Sequence, residues 1–118
     1  MTISGMPEKS SSSGYGNQGV FSRVTSKWGT KTLVALKDGE LRFSELKKQL
    51  DNITDRMLIK TLQELESDGF IMRNFSGTGS KKVFYNLSPA GHELAVLLKT
   101  LTFWINSYIQ THPKADVK

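Results

Sequence analysis

The strongest constraint on the fold lies in residues 51–87, where one amphipathic helical pattern runs directly into two short strand patterns. Thr54 precedes the helical pattern as an N-cap candidate, and Leu58 and Leu62 recur at helical spacing. Gly69 follows as a stop signal, and the segments "FIMRNF" and "VFYNL" then alternate as strands do. The stretch therefore predicts a capped helix followed by a β-hairpin.

Helical patterns are also present on both sides of this unit. Upstream they cover about residues 17–26, then "KWGTKTLVALKDGE" with Gly39 as its C-terminal cap, then "SELKKQL" with Ser44 as its N-cap. A short extended link, "LRF", separates the last two helices. Downstream, Ser88 is placed to cap a long helix whose first position is Pro89.

The order of these elements is helix, helix, short strand, helix, helix, hairpin, helix. Two short helices joined by a tight turn and followed by a basic hairpin are the layout of a winged helix-turn-helix. The predicted fold class is therefore α+β, mainly α: a winged helix-turn-helix with N- and C-terminal dimerisation helices. On this layout the recognition helix covers about residues 54–68, the wing about 71–87 and the dimerisation helix about 89–111.

The two ends of the chain differ in composition from this domain. Residues 1–18 are rich in Ser and Gly, which predicts a disordered tail. A chain of 118 residues suggests a single domain, placed at residues 19–111, and residues 112–118 are expected to be a flexible C-terminus. Neither a signal peptide nor an apolar run long enough to span a membrane is apparent, so a cytoplasmic location without membrane association is expected.

Composition bears on the class of partner and of chemistry. The net charge of +5 and the pI near 9.6 permit a polyanionic partner, most commonly nucleic acid. The absence of cysteine excludes disulfides and thiolate chemistry. His92 and His112 lack neighbours at metal-ligand spacing, and no nucleophile stands beside a base. The segment "GTGSKK" lacks the Walker pattern and precedes a strand. A non-enzyme without metal or cofactor is predicted.

The predicted recognition helix has two opposite faces. Met57, Leu58, Leu62 and Leu65 are expected to turn inward, whereas polar side chains turn outward. Arginine can bond guanine through two hydrogen bonds, glutamine can bond adenine, and lysine can meet phosphate or guanine. A solvated polar face is the alternative for an isolated helix, but the adjoining helix and hairpin favour DNA contact. The residues predicted to contact DNA are Ser44, Thr54, Asp55, Arg56, Ile59, Lys60, Gln63, Arg73, Lys81 and Lys82.

The last helix carries an apolar stripe that is wider than one short helix needs to cover a small core. Such an excess indicates an oligomer interface or a ligand crevice, with a self-contained core closed by Trp104 as the alternative. A two-fold dimer would place two recognition helices about 34 Å apart and would suit a palindromic operator in double-stranded DNA. The predicted interface of this homodimer comprises Val20, Phe21, Val24, Leu97, Leu98, Leu101, Trp104, Ile105 and Tyr108.

Three ordered segments resemble a known family. "SKWGTKTLVALKDGELRFSEL", "ITDRMLIKTLQELESDGFIMR" and "VFYNLSPAGHEL" are similar, in register, to blocks of the HxlR-type winged helix-turn-helix regulators, within the MarR-like superfamily. The resemblance covers about residues 20–104. It implies a homodimeric transcription factor of bacterial type that binds operator DNA through its recognition helix and wing and dimerises through its terminal helices.

The sequence departs from that family at two places. Many relatives carry a Cys-Pro pair before the first helix, and some of them sense electrophiles with that cysteine, but residues 14–18 contain none. A thiol switch is therefore not available. Many relatives also have a proline-rich wing, whereas this wing reads "SGTGSKK", which predicts a more mobile and more basic loop.

The leading interpretation is a regulator that binds DNA and needs no effector. Two alternatives to it remain open. One is a winged-helix module for protein–protein contact, in which the basic charge is incidental. The other is a ligand-sensing regulator of the MarR type. In that case an aromatic crevice between Trp28, Phe103 or Trp104 and the partner subunit would bind a small apolar effector of unknown identity.

Overall fold

The computed structural model of the protein describes residues 18–76 and 82–112. The predicted tail and flexible C-terminus lie outside these ranges, except that Gln18 already belongs to the first helix and His112 follows the last one. The elements are α1 (Gln18–Thr25), α2 (Lys27–Ala35), β1 (Leu41–Arg42), α3 (Phe43–Gln49), α4 (Asp55–Ser67), β2 (Ile71–Ser76), β3 (Lys82–Leu87) and α5 (Pro89–Thr111).

This element order is the predicted one, and the winged helix-turn-helix fold is confirmed. The three strands form one antiparallel sheet in the order β1-β3-β2. Strand β3 is central, because it pairs Leu41 with Tyr85 on one side and Ile71 with Leu87 on the other. Helices α3 and α4 form the helix-turn-helix, and the β2–β3 hairpin is the wing.

Helix α4 begins and ends through local signals. The side chain of Thr54 accepts a hydrogen bond from the amide of Met57 at 3.0 Å, which satisfies one of the free N–H groups of the first turn. At the other end Gly69 adopts a φ of +87°, and the amide of Phe70 reaches back to the carbonyl of Leu65 at 2.9 Å. This is a Schellman termination, which favours glycine at this position because the backbone of the residue there is left-handed.

One apolar core lies beneath α2, α3, α4 and α5. Leu33, Leu46 and Leu58 are completely buried in it, and Leu65 is nearly so. The predicted inward face of α4 is correct for its leucines but wrong for Met57, which is 37% exposed. At 100° per residue, Met57 lies about a quarter turn from the centre of the leucine face, so it reaches the edge of the core only.

Two predicted helix signals are wrong in their assignment. Ser44 is not the N-cap of α3, because the helix begins at Phe43 and Arg42, two residues before Ser44, takes the cap position. There the amide of Arg42 donates to the Glu45 carboxylate at 2.8 Å. Gly39 does not cap α2, which ends at Ala35. It lies in the following turn with a φ of +148°.

Ser88 caps α5 as predicted, and its hydroxyl joins two elements. It accepts a hydrogen bond from the amide of Gly91 at 3.0 Å and donates one to the carbonyl of Gly69 at 2.6 Å. Gly91 passes so close to the carbonyl oxygen of Phe70 that a Cβ atom there would overlap it. The start of α5 is therefore held against the end of α4 by backbone contact.

Helix α5 changes character along its length. Its first half is anchored by Gly91, Ala95 and Leu98, which are buried, whereas nearly every residue from Lys99 onward is exposed. The second half therefore projects from the body of the subunit. Within the described ranges, no helix is long and apolar enough to cross a lipid bilayer.

Candidate nucleic-acid interface

The outer face of α4 carries the side chains predicted to read DNA. Arg56, Lys60 and Gln63 are all exposed and follow one side of the helix, opposite the buried leucines. Ile59 lies among them and is 47% exposed. Two cations, Arg56 and Lys60, therefore share one surface of the helix with the neutral amide of Gln63 and the apolar side chain of Ile59. The opposite side of this helix packs on the core.

The acidic residue beside this face is paired with a lysine of the preceding helix. The Lys47 ammonium lies 3.4 Å from the carboxylate of Asp55, so the two halves of the helix-turn-helix are joined by an ion pair. This pair reduces the repulsion that Asp55 would exert on a phosphate. Sequence reasoning missed Lys47, because the contact depends on the angle between α3 and α4.

A second ion pair modifies the face itself. The Lys60 ammonium lies 3.1 Å from the Glu64 carboxylate, one helical turn further along. Both side chains are substantially exposed, so the pair contributes little to stability. Lys60 can therefore exchange this partner for a phosphate at small cost.

The N-terminal turn of α4 offers backbone donors. The hydroxyl of Thr54 is engaged by Met57, and the amides of Asp55 and Arg56 have no acceptor among the described residues. Free amides at the positive end of a helix dipole form a site suited to a phosphate oxygen. Ser44 lies at the second position of α3 and is exposed.

The wing carries fewer available cations than its composition indicates. The Arg73 Nε donates to a carboxylate oxygen of Glu66 at 3.2 Å, which ties the hairpin to α4. Lys82 is exposed at the first position of β3, and Lys81 lies outside the described residues together with residues 77–80. Across the strands, the side-chain Nδ2 of Asn74 donates to the side-chain Oδ1 of Asn86 at 2.7 Å.

The residues predicted to form the dimer interface divide into two groups. Phe21 is 67% exposed, and Val20 is half-buried. Val24 and Leu98 are only 5% and 7% exposed and belong to the core of the subunit itself. The exposed members on α5 are Leu97, Leu101, Trp104, Ile105 and Tyr108, here called the α5 stripe. Val24 and Leu98 therefore support these helices from beneath rather than forming the exposed surface.

Aromatic rings are aligned along the α5 stripe and just beyond it. The ring of Trp104 stacks on Tyr108 with centroids 5.4 Å apart, and Tyr108 stacks on His112 at 4.2 Å. The sequence did not indicate this use of His112, although its spacing of four from Tyr108 is the signal that would have done so.

The cavity nearest the predicted effector crevice has a different lining from the one expected. It has a volume of about 470 Å³ and lies between α2, the end of α3 and the second half of α5. Phe103 lines it, whereas Trp28 and Trp104 do not. The ring of Trp28 is instead covered by the Lys27 ammonium at 4.7 Å from the ring centroid. Among the described residues, no group of His, Asp and Glu side chains is arranged to hold a metal ion.

Comparison with known proteins agrees with this geometry. The family model described as HxlR-like helix-turn-helix matches residues 23–113. The chain belongs to this family. It is 38% identical over 86 residues to the HTH-type transcriptional regulator YtfH of Escherichia coli, which covers 73% of this chain and 68% of the relative. It is 40% identical over 85 residues to an HTH-type transcriptional regulator of Methanothermobacter thermautotrophicus, with 72% and 65% covered.

Solved structures of similar proteins have the same architecture. The transcriptional regulator YtfH from Salmonella typhimurium superposes with a TM-score of 0.75 at 34% identity, covering 86% of this chain and 90% of the other. The reduced form of YodB from Bacillus subtilis superposes with a TM-score of 0.67 at 26% identity, covering 77% and 89%. This HxlR-like chain is therefore a DNA-binding transcriptional regulator of the helix-turn-helix class.

Proposed function

We propose that this HxlR-like protein acts as a homodimer that binds a palindromic operator, with one α4 helix of each subunit in a major groove. The observation that carries the proposal is the outer face of α4, where Arg56, Ile59, Lys60 and Gln63 stand exposed together. A face of cations alone would give salt-sensitive binding without selectivity. The mixture of donors, acceptors and an apolar group is suited to reading base edges.

Each side chain has a role suited to its chemistry. Arg56 would bond the O6 and N7 atoms of guanine, and Gln63 would bond adenine. Ile59 would pack against a thymine methyl group, which only the major groove presents. Lys60 would leave Glu64 for a phosphate. The free amides at the start of α4 would hold a second phosphate and fix the depth of the helix in the groove.

The wing and α3 would contribute contacts to the DNA backbone. Lys82 is exposed at the start of β3, and Lys81 adjoins it in sequence. Arg73 would contribute after exchanging Glu66 for a phosphate, and exposed Ser44 would add a hydroxyl donor from α3. These contacts carry affinity and register rather than sequence preference.

The α5 stripe and Phe21 support a two-fold dimer. Most of the stripe lies on the projecting half of α5, where its own subunit does not cover it. An exposed apolar stripe of this extent is typical of a subunit interface. Isologous pairing would relate the two α4 helices by a two-fold axis, so that they meet half-sites one turn apart, about 34 Å. Because such a regulator must reach the genome, the proposal includes a cytoplasmic location.

We propose that control of DNA binding differs in this protein from a thiol switch. One structural relative is described as the redox regulator HypR in its oxidised form, and another as diamide-treated YodB. The 118 residues of this chain include no cysteine. An effector would therefore bind here without thiol chemistry.

The test is selection of binding sites from a pool of random duplex DNA, followed by fluorescence anisotropy at two salt concentrations. We expect enrichment of a palindrome and at least tenfold weaker binding by the variant R56A/K60A. The matched control is K27A/K37A, which removes the same charge from the start of α2 and from the turn that follows this helix. Equal binding by R56A/K60A and wild type would show that the assigned face is wrong. Weak binding without sequence preference would instead favour the protein-interaction module.

A further inference from the structure

A crevice of about 470 Å³ lies on the side of the subunit where α2 and the second half of α5 diverge. Its floor is apolar and is formed by Val34, Ala35, Leu50 and Phe103. The volume falls within the range of sites that bind organic molecules, and it exceeds what a few ordered waters would fill. The site that binds DNA does not use this crevice, because α4 contributes none of its lining.

The polar lining of the crevice has one sign of charge. Lys31 of α2 and Lys99 of α5 both line it, and no acidic side chain does. Neither lysine forms an ion pair with any described residue. The Lys31 ammonium also lies 5.7 Å from the centroid of the Trp28 ring. An apolar floor beside two ammonium groups that have no acidic partner is complementary to a molecule that has an apolar body and an anionic group.

The hydroxyl groups in the lining are already occupied. Thr30 donates to the carbonyl of Val24 at 2.7 Å, and Thr102 donates to the carbonyl of Leu98 at 2.9 Å. The remaining neutral polar side chains are Gln49 and Asn106, whose side-chain amides have no hydrogen-bond partner among the described residues. They are therefore available to orient polar atoms of a ligand.

We propose that this crevice binds a small amphipathic organic anion, with its apolar body between Val34, Leu50 and Phe103 and its anionic group near Lys31 and Lys99. The sequence left open a small apolar effector in a crevice between Trp28, Phe103 or Trp104 and the partner subunit. The present assignment keeps Phe103 and replaces the rest of that hypothesis. An apolar segment of a second copy is a poorer occupant. It would take two ammonium groups out of water without supplying a counter-charge, which is unfavourable.

The position of the crevice on α5 gives its occupant a mechanical consequence. The residues of α5 that line it are Lys99, Thr102, Phe103 and Asn106. At 100° per residue these lie on the side of the helix nearly opposite to Leu101, Trp104 and Tyr108 of the α5 stripe. One side of the same projecting half-helix therefore meets the ligand, and the other side meets the proposed partner subunit.

Helix α5 has little to hold its second half in place, because its last buried side chain is Leu98. A ligand wedged against Phe103 would change the angle at which this half leaves the subunit. A change of angle at a two-fold interface alters the separation of the two α4 helices, and hence operator affinity. This regulatory step rests on the proposed function, whereas binding of the anion does not.

The test uses two fluorescent probes that share a body and differ in charge. The first is 8-anilinonaphthalene-1-sulfonate, and the second is neutral N-phenyl-1-naphthylamine. We expect the variant K31Q/K99Q to bind the sulfonate about tenfold more weakly than wild type and the neutral probe equally well. The matched control K27Q/K48Q loses the same charge outside the crevice and should bind both probes as wild type does. Equal weakening by the two double variants would overturn the proposal.

A second variant separates the crevice from the α5 stripe, where such probes also adhere. Filling the floor by Ala35→Phe should reduce the binding of both probes, with the fold checked by circular dichroism. Loss of the sulfonate signal in L101S/W104S, together with wild-type binding by A35F and K31Q/K99Q, would place the probe on the stripe and overturn the site.

The regulatory step is measured on the operator obtained by selection. We expect saturating sulfonate to change the operator affinity of the wild type at least threefold and that of K31Q/K99Q much less at the same probe concentration. An unchanged affinity would overturn the regulatory step. If no operator emerges while the probe results hold, the proposed function fails and the anion site stands.

Discussion

Arg23 of α1 forms a two-point ion pair with Asp68, the residue that caps the C-terminus of α4. The Nε atom lies 2.8 Å from one carboxylate oxygen, and the Nη2 atom lies 2.8 Å from the other. The Asp68 side chain is 9% exposed. This parallel geometry is specific to arginine, because lysine presents a single point charge. The pair therefore links a helix assigned to the dimer interface with the end of the helix assigned to DNA.

Replacing Asp68 with asparagine should loosen this link. The amide side chain would retain a hydrogen bond but leave the guanidinium without its counter-charge, and we expect the thermal midpoint to fall by about 5 °C or more. Hydrogen exchange should quicken in α1 before it does in α4. The conservative variant Arg23→Lys keeps the charge and loses the second contact, so its midpoint should fall by less than that of D68N. Unchanged α1 exchange in D68N would show that the pair does not anchor the helix.

The same pair has a definite pH dependence. The hydrogen bonds that Arg23 donates to the Asp68 carboxylate raise the pKa of Arg23 above its ordinary value. For a base whose pKa is raised on folding, the stabilisation is complete below the unfolded pKa and is lost only as pH rises through the folded one. That window is strongly alkaline, so loss of the Arg23 proton should not alter the free energy of unfolding between pH 6 and 9. Denaturant titrations across this pH range would check the prediction.

The order of elements and the caps of α4 and α5 could be predicted because their causes are local. Thr54 and Ser88 accept hydrogen bonds from amides three residues ahead, and such spacing is visible in a sequence. The prediction for Ser44 was wrong although serine suits an N-cap, because the hydrogen bond between the Glu45 carboxylate and the Arg42 amide places the cap two residues earlier.

The contacts that modulate the DNA-binding face could not be predicted. The pairs Lys47–Asp55 and Arg23–Asp68 join different helices, so their formation depends on interhelical angles rather than on residue spacing. Periodicity identified the α5 stripe, but it could not tell which of its apolar residues the subunit itself would cover. Leu98 is covered and Leu97 is not, and only the packing of α5 on α2 separates them.

Two glycines should respond differently to alanine because their constraints differ. At Gly91 a Cβ atom would overlap the Phe70 carbonyl, and relief requires the start of α5 to move away from Phe70. We expect Gly91→Ala to cost about 3 kcal/mol. At Gly69 a Cβ atom meets nothing, but the φ of +87° is unfavourable for alanine. The left-handed strain, less the entropy lost from the unfolded chain, gives a cost of about 1 kcal/mol.

Urea denaturation of both variants would measure these costs. Equal losses would mean that backbone conformation, rather than the approach of Phe70 to α5, limits both positions.

Two glutamates should restrain DNA binding. The Glu64 carboxylate lies 3.1 Å from the Lys60 ammonium, and the Glu66 carboxylate lies 3.2 Å from the Arg73 Nε. Each cation therefore has a negative charge beside it that would repel the DNA phosphates. We expect E64Q/E66Q to bind operator DNA more tightly by about threefold to tenfold. Its affinity should also fall more steeply with salt, by about 0.9 in the log–log slope for each additional phosphate that the protein neutralises.

The control for this change is E40Q/E93Q, which raises the net charge equally at exposed positions outside α4 and the wing. Anisotropy titrations over a range of salt would give both slopes. The same slope for the two double variants would indicate a general effect of net charge and would contradict release of Lys60 and Arg73.

A glutamate on the α5 stripe should separate the proposed dimer without unfolding the subunit. Leu101 is 52% exposed, so Leu101→Glu places a carboxylate in water in the monomer. In the dimer it would bury that charge among apolar groups, and two-fold symmetry would repeat the cost. We expect the dissociation constant to rise at least about 1,000-fold, equivalent to about 4 kcal/mol.

The control Val96→Glu alters an apolar residue of the same helix that is 40% exposed and lies about 120° from the centre of the stripe. Sedimentation equilibrium should find V96E dimeric and L101E monomeric, with operator binding weakened in L101E alone. A dimeric L101E would move the subunit interface away from the stripe.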